Sequence, residues 1–288
     1  MSERIRLQVA GMPWTVRVAG RGSPVLFLHG FSGSGLAWAG LAGIGGRFRA
    51  IVPDLPGHGG TGWHRPEAAR GDGQTPPGGD ARPRASVESA ADDLATIVRR
   101  LVADRVDVVG YSMGARIALR LAVAHPESVR RLVLEAPSAG IADPRERADR
   151  AAADVERARI VVAEGIEAFA TRWEGEPVLA GEAALPPPVH ARVRAIRRSN
   201  TPLGLAASLV QGGQGAMEPL HDRLASVAAP TLVIVGSRDP ARTRGEEVAA
   251  GVPHARLAVV EGAGHAPHLE RPDRFHALVL EFLTEAAP

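Results

Sequence analysis

One serine, one aspartate and one histidine each follow a short apolar run that ends in glycine or at an acidic residue. Ser112 stands in Gly110-Tyr111-Ser112-Met113-Gly114, after the apolar run Val106–Val109 and ahead of the helical pattern Met113–Ala124. A sharp strand-to-helix turn of this kind lifts a serine hydroxyl clear of a sheet, and the flanking glycines let the two backbones cross closely. The helix that begins there favours negative charge at its N-terminus. A serine hydroxyl at neutral pH needs a base, and the base needs a carboxylate to orient it. His265 follows Gly262-Ala263-Gly264, and Asp239 follows Gly236-Ser237-Arg238. Ser112, Asp239 and His265 are therefore the candidate catalytic residues, in the chain order Ser, Asp, His.

Rival groups are present. His268 lies three residues beyond His265, at the mouth of a helix, where an exposed capping role is expected. Asp54 opens Asp54-Leu55-Pro56-Gly57-His58-Gly59, which reads as loop architecture. His64, His125, His190, His221, His254 and His276 fall in loops or on helix faces, as exposed or packing residues. No cluster of His and acidic residues has the spacing of a metal site, so no metal is expected.

The elements that must hold these residues alternate along the chain. Ile5–Val9 and Trp14–Val18 alternate with period two around Gly11-Met12-Pro13 and predict a hairpin. Pro24–Leu28, Ala50–Pro53, Val106–Val109, Leu132–Leu134, Thr231–Val235 and Leu257–Val260 are apolar runs suited to buried strands. Ser89–Val102, Met113–Ala124, Glu246–Ala250 and Pro272–Glu285 carry helical periodicity. The alternation predicts an α/β protein with a mostly parallel sheet covered on both faces. Two segments break it. Glu67–Arg84, dense in Gly, Pro, Arg and Asp, predicts a long loop. Ala139–Leu220 has no strand pattern but helical stretches at Arg145–Glu164, Gly165–Trp173 and Val189–Ser199. The expected organisation is a core of residues 1–137 and 221–288, with a helical cap at 138–220.

Composition removes several classes of function. At 288 residues, a folded chain buries roughly 75% of its extended surface, enough for a large core. The absence of cysteine excludes thiol nucleophiles, disulfides and Cys-ligated metals. All 34 basic residues are arginine, so Schiff-base lysines and P-loop lysines are excluded too. The net charge of +2, without an Arg-rich block interleaved with aromatics, gives no support for nucleic-acid binding. No run nears the ~18 apolar residues of a membrane span, and Met1–Arg6 alternates in charge without a signal core. A soluble, cytoplasmic protein is expected; oligomeric state is left open.

Pro24–Gly35, Asp54–Gly59, Gly110–Leu119, Pro230–Asp239 and Gly262–Pro272 together resemble the α/β-hydrolase superfamily over nearly the whole chain. The resemblance implies an α/β-hydrolase fold with its oxyanion loop at His29-Gly30-Phe31, so that the backbone N–H groups of Phe31 and Met113 converge on a developing oxyanion. A narrower likeness rests on Gly-Tyr-Ser-Met-Gly followed by Arg116, on Trp173-Glu174 with Pro177-Val178, and on Arg198-Ser199-Asn200-Thr201-Pro202 with Gly204-Leu205-Ala206. These resemble the 2-succinyl-6-hydroxy-2,4-cyclohexadiene-1-carboxylate synthases of menaquinone biosynthesis. That likeness implies a cofactor-free lyase in which the triad removes a carbon-bound proton and pyruvate is eliminated from an enolpyruvyl precursor. It also implies substrate contacts from Tyr111, Arg116, Arg147, Trp173 and Arg198. Arg116 has independent physical support: it lies four residues after Ser112 on one helix, so both project to one face. A guanidinium there suits a small polycarboxylate. Ala115 where the family has glycine, Pro240 after Asp239, and the length of Glu67–Arg84 depart from the pattern. The alternatives are a serine hydrolase of esters or carbon–carbon bonds, and a non-catalytic binding module on the same fold.

Overall fold

The computed structural model describes residues 3–40, 47–61, 84–102 and 104–285. The predicted Glu67–Arg84 loop, apart from Arg84, and His64 lie outside them. The strands are β1 (Glu3–Val9), β2 (Met12–Gly20), β3 (Ser23–Leu28), β4 (Phe48–Pro53), β5 (Val106–Tyr111), β6 (Val129–Glu135), β7 (Thr231–Gly236) and β8 (Ala255–Val260). They form one sheet in the order β1-β2-β4-β3-β5-β6-β7-β8. The β1–β2 and β2–β4 pairs are antiparallel, and all others are parallel. The first hairpin turns one step earlier than its proline suggested. Ala10 and Gly11 take φ of 46° and 80°, the two left-handed positions of a tight hairpin turn. Pro13 already pairs with Gln8 inside the ladder.

Helices cover both faces, as the continuous apolar character of the parallel strands requires. On one face α1 (Val87–Leu101), α2 (Met113–Ala124) and α6 (Arg242–Gly251) pack over Leu26, Leu28, Val108 and Leu134. Ser86 caps α1, its hydroxyl accepting the Ser89 N–H at 3.1 Å. On the other face α8 (Pro272–Thr284) buries Phe275, Val279 and Phe282 with Trp38 against Val25, Phe27 and Val109. Burying a side chain of this size stabilises by about 1.5–3 kcal/mol. The short α7 (Pro267–Glu270) precedes α8. Among the described residues no helix is long and apolar enough to cross a membrane.

Between β6 and β7 the chain leaves the sheet as a helical cap. Its members are α3 (Pro144–Glu174), α4 (Pro187–Arg198) and α5 (Pro202–Gly212), with a 3-10 segment at Pro177–Ala184. Asp143 caps α3 by accepting the N–H groups of Arg145 and Glu146, with Pro144 at the first helical position. Gly165 interrupts α3 with φ 83° and ψ 176°, where the sequence separated two helical stretches. The cap has its own small core of Val161, Phe169 and Leu205, joining α3 to α5.

Candidate active site

The C-terminal ends of β3, β5, β6, β7 and β8 lie along one edge, where ligand sites form in open parallel sheets. Ser112 sits at the end of β5 with φ 50° and ψ −106°, a left-handed conformation costly for a residue with a side chain. The tight crossing beneath it needs glycine: a Cβ at Gly110 would come within 2.5 Å of the Gly114 carbonyl oxygen. The Ser112 N–H is held by the Glu135 carbonyl at 2.9 Å. The three residues singled out in the sequence come together here. His265 Nε2 is 3.0 Å from Ser112 Oγ, and His265 Nδ1 is 2.9 Å from Asp239 Oδ2. A carboxylate only accepts, so Nδ1 carries the proton and Nε2 accepts from the serine hydroxyl. Asp239 is fixed in turn by the Ala241 N–H, 2.8 Å from Oδ1.

The loop after β3 is pinned by two buried imidazoles. His29 Nδ1–H donates to the Gly30 carbonyl, and its Nε2 accepts the Leu55 N–H at 3.0 Å. His58 Nδ1–H donates to the Pro56 carbonyl, and its Nε2 accepts the Ser32 N–H at 3.1 Å. Both rings must be neutral to accept, and burial lowers both pKa values, that of His58 to about 3. Asp54 is loop architecture, as expected: it accepts from Gly35 and Gly60 N–H and pairs with Arg17 at 2.7 Å. From the cap, Asn200 donates to the Ser32 carbonyl at 2.8 Å and accepts the Gly59 N–H at 2.8 Å. Phe31, in the loop after β3, and Met113, the first residue of α2, line one cavity with Ser112, and no acceptor is found for their N–H groups among the described residues.

A cavity of about 610 Å³ opens over Ser112 and His265, between sheet and cap. Tyr111, Phe31 and Trp173 form part of its wall, with the Phe31 and Trp173 rings 5.0 Å apart. Burial, with Glu182 nearby, pushes the Tyr111 phenol pKa up, so it stays protonated. Arg116, Arg150, Arg157, Arg192, Arg197 and Arg244 line the same cavity. Arg116 was expected there. Arg147 and Arg198 were expected as well, but neither lines the cavity. The Arg147 guanidinium turns back onto the carbonyls of Ile141 and Ala142, and Arg198 pairs outward with Glu167 at 2.8 Å. Arg150 and Arg197 take the inward positions. Helical spacing carried this signal: Arg197 lies four residues after Val193 and beside Ile196 on the buried side of α4, while Arg198 is turned 100° away.

Most of these arginines already face carboxylates. Arg150 and Arg157 share Asp154, and Arg197 is bonded to Glu182 at 3.0 Å and Glu174 at 3.4 Å. Arg116 differs. It is 7% exposed, its guanidinium donates to the Gly212 carbonyl at 2.8 Å and to Met217 Sδ, and it has no carboxylate partner among the described residues. Burial, with Arg150 adding, lowers its pKa to about 10.

His268 also differs from expectation. It is not an exposed cap but 7% exposed, with Nδ1–H and backbone N–H both donating to Glu135 Oε1. Its ring lies 4.6 Å from that of Tyr111, and Ser112 is bonded to His265 instead. No group of three or more metal-ligating side chains occurs among the described residues.

The alpha/beta hydrolase fold family matches residues 23–272. A Bacillus subtilis (strain 168) protein, provisionally named 2-succinyl-6-hydroxy-2,4-cyclohexadiene-1-carboxylate synthase, is 34% identical over 261 residues, covering 90% of each chain. The structure of MenH from S. aureus matches with a TM-score of 0.82 at 26% identity, over 93% of this chain and 97% of that one. A thermophilic esterase from Thermogutta terrifontis, with malate bound, matches with a TM-score of 0.79 at 26% identity, over 98% of each.

Proposed function

The chain belongs to the α/β-hydrolase family, and from that premise we propose that it is a lyase of menaquinone biosynthesis. It eliminates pyruvate from 2-succinyl-5-enolpyruvyl-6-hydroxy-3-cyclohexene-1-carboxylate. The observation that carries this reading is Arg116, a buried guanidinium in the wall of the cavity over Ser112 and His265 that forms no ion pair with a carboxylate among the described residues. An unpaired buried charge costs several kcal/mol, which an anionic ligand in the cavity offsets. Arg150 and Arg197 line the same cavity from the cap but are already paired with carboxylates, which leaves Arg116 as the principal anion contact, and the Trp173 ring lies against the substrate. The named relative at 34% identity supports the same reading.

In this account His265 takes the Ser112 hydroxyl proton while Asp239 stabilises the imidazolium. The Ser112 oxygen removes a proton from the carbon next to a substrate carbonyl. Charge gathers on that carbonyl oxygen, where the Phe31 and Met113 N–H groups donate to it. Enolpyruvate leaves with the electron pair of its C–O bond, takes a proton from His265, and tautomerises to pyruvate. Ser112 keeps the carbon's proton as its own hydroxyl, so serine and histidine are both back in their starting states. Acid, base and anion binding all come from side chains and backbone, so no cofactor enters these steps.

A serine hydrolase is the second reading, favoured by the equally extensive match to the Thermogutta esterase. The same triad and N–H donors serve both reactions. Neutral esters, however, give Arg116 nothing to bind. Incubation with the enolpyruvyl precursor, and separately with simple aryl esters, discriminates the two. Pyruvate release with a rising conjugated-diene absorbance is expected from the first and slow or no hydrolysis from the second. Rapid aryl-ester turnover with no pyruvate would reverse the assignment.

A further inference from the structure

His265 is carried on a glycine-rich loop, yet its ring must keep two bonds at once. A single carboxylate clamps the backbone on either side of it. Glu270 Oε2 accepts the Gly264 N–H at 2.7 Å, and Glu270 Oε1 accepts the Ala266 N–H at 3.1 Å. Glu270 is the last residue of α7 and makes no contact with Ser112 or Asp239 that would enter the proton relay. The other side of this carboxylate meets the cap. A Cβ at Gly181, in the 3-10 segment Pro177–Ala184, would stand 2.5 Å from Glu270 Oε1 and closer still to Oε2. A Cβ at Gly264 would stand 3.1 Å from Oε1. The carboxylate is thus held between a glycine of the cap and the loop bearing His265. Gly181 has no need of a left-handed backbone, so close approach is what excludes a side chain there.

We infer that Glu270 is a positioning residue for His265, and that Gly181 seats the cap directly on it, so that docking of the cap sets the base. The inference rests on Ser112 and His265 acting as nucleophile and base, not on the identity of the substrate. Two N–H donors aimed at one carboxylate demand an acceptor at each oxygen. Glu270→Gln keeps shape but turns one acceptor into a donor facing an N–H. Gly181→Ala leaves the carboxylate in place and pushes it from the cap side, without altering a residue that lines the main cavity.

The test is labelling of Ser112 by a fluorophosphonate. Ser112 Oγ forms a bond to phosphorus, the P–F bond breaks, fluoride leaves, and His265 takes the hydroxyl proton. Wild type is expected to label rapidly; if it does not, the nucleophile–base reading fails and takes this inference with it. Given labelling of wild type, Glu270→Gln and Gly181→Ala are each expected to slow it by about ten- to a hundredfold, the effect of displacing a reacting group by ~1 Å. Their melting temperatures should stay near that of wild type. With the enolpyruvyl substrate, kcat should fall while KM holds, which loss of a substrate contact would not produce. Unchanged labelling in a folded Glu270→Gln variant overturns the clamp. Unchanged labelling in Gly181→Ala overturns the coupling to the cap, and that variant also decides the question if Glu270→Gln does not fold.

Discussion

At the scale of single residues, one cavity brings together the hydrogen-bonded Ser112–His265 pair and a buried arginine that forms no ion pair among the described residues. Ser112, His265 and Asp239 are linked by bonds of 3.0 and 2.9 Å, and the proposed mechanism uses them as one unit, so their losses should not add. Ser112→Ala, His265→Ala and Asp239→Asn should each lower kcat by orders of magnitude with circular dichroism unchanged. A double variant should be little worse than the worse single one; independent multiplicative losses would break the triad assignment. Arg116→Met tests the cation. Its side chain replaces a buried guanidinium that has no carboxylate partner among the described residues by an apolar group of similar length. The melting temperature should hold or rise, while substrate binding loses about 2–5 kcal/mol, a KM increase of at least about thirtyfold. Arg116→Lys should also be damaged, because an ammonium cannot reproduce the planar fork. An unchanged KM for Arg116→Met would make the residue structural.

At the scale of elements, the loop after β3 depends on two histidines staying neutral. Both have folded-state pKa values below the ordinary value, so their contribution to stability is fully present above about pH 6.5. It is lost as pH falls from there toward the His58 value of about 3, because protonation places a second donor against the N–H groups of Leu55 and Ser32. His58→Gln offers an acceptor that does not titrate. Urea unfolding at pH 7 and pH 5 should show a smaller drop in stability for this variant than for wild type; an equal drop would remove His58 as the cause. On the cap side, Asn200→Ala leaves the Ser32 carbonyl and the Gly59 N–H without their buried partner. A cost of about 1–3 kcal/mol in unfolding free energy is expected.

At the scale of the whole molecule, the strands and the elbow were legible because they rest on local chemistry. Apolar runs ending in glycine give buried parallel strands, and α2 occupies Met113–Ala124 as its periodicity predicted. The end of α3's first half was legible from Gly165. α5 was not anticipated: glycines at 204 and 212 blur its periodicity, although Thr201-Pro202 is a sound helix start. The triad was legible from three glycine-bordered strand ends. The arginine set was only partly so, since Arg147 and Arg150, or Arg197 and Arg198, differ in direction by rotation about a helix rather than by residue type. The burial of His268 and the seating of Glu270 against the cap could not be read from spacing, because Glu135 and Gly181 come from distant segments. The central claim is that this triad removes a carbon-bound proton and that water does not enter the product. Mass spectrometry of products formed in oxygen-18 water tests it most directly. The account predicts pyruvate and a succinylated ring product free of solvent oxygen beyond spontaneous exchange. Oxygen-18 in the ring product above that level, or an acyl group trapped on Ser112, would contradict it.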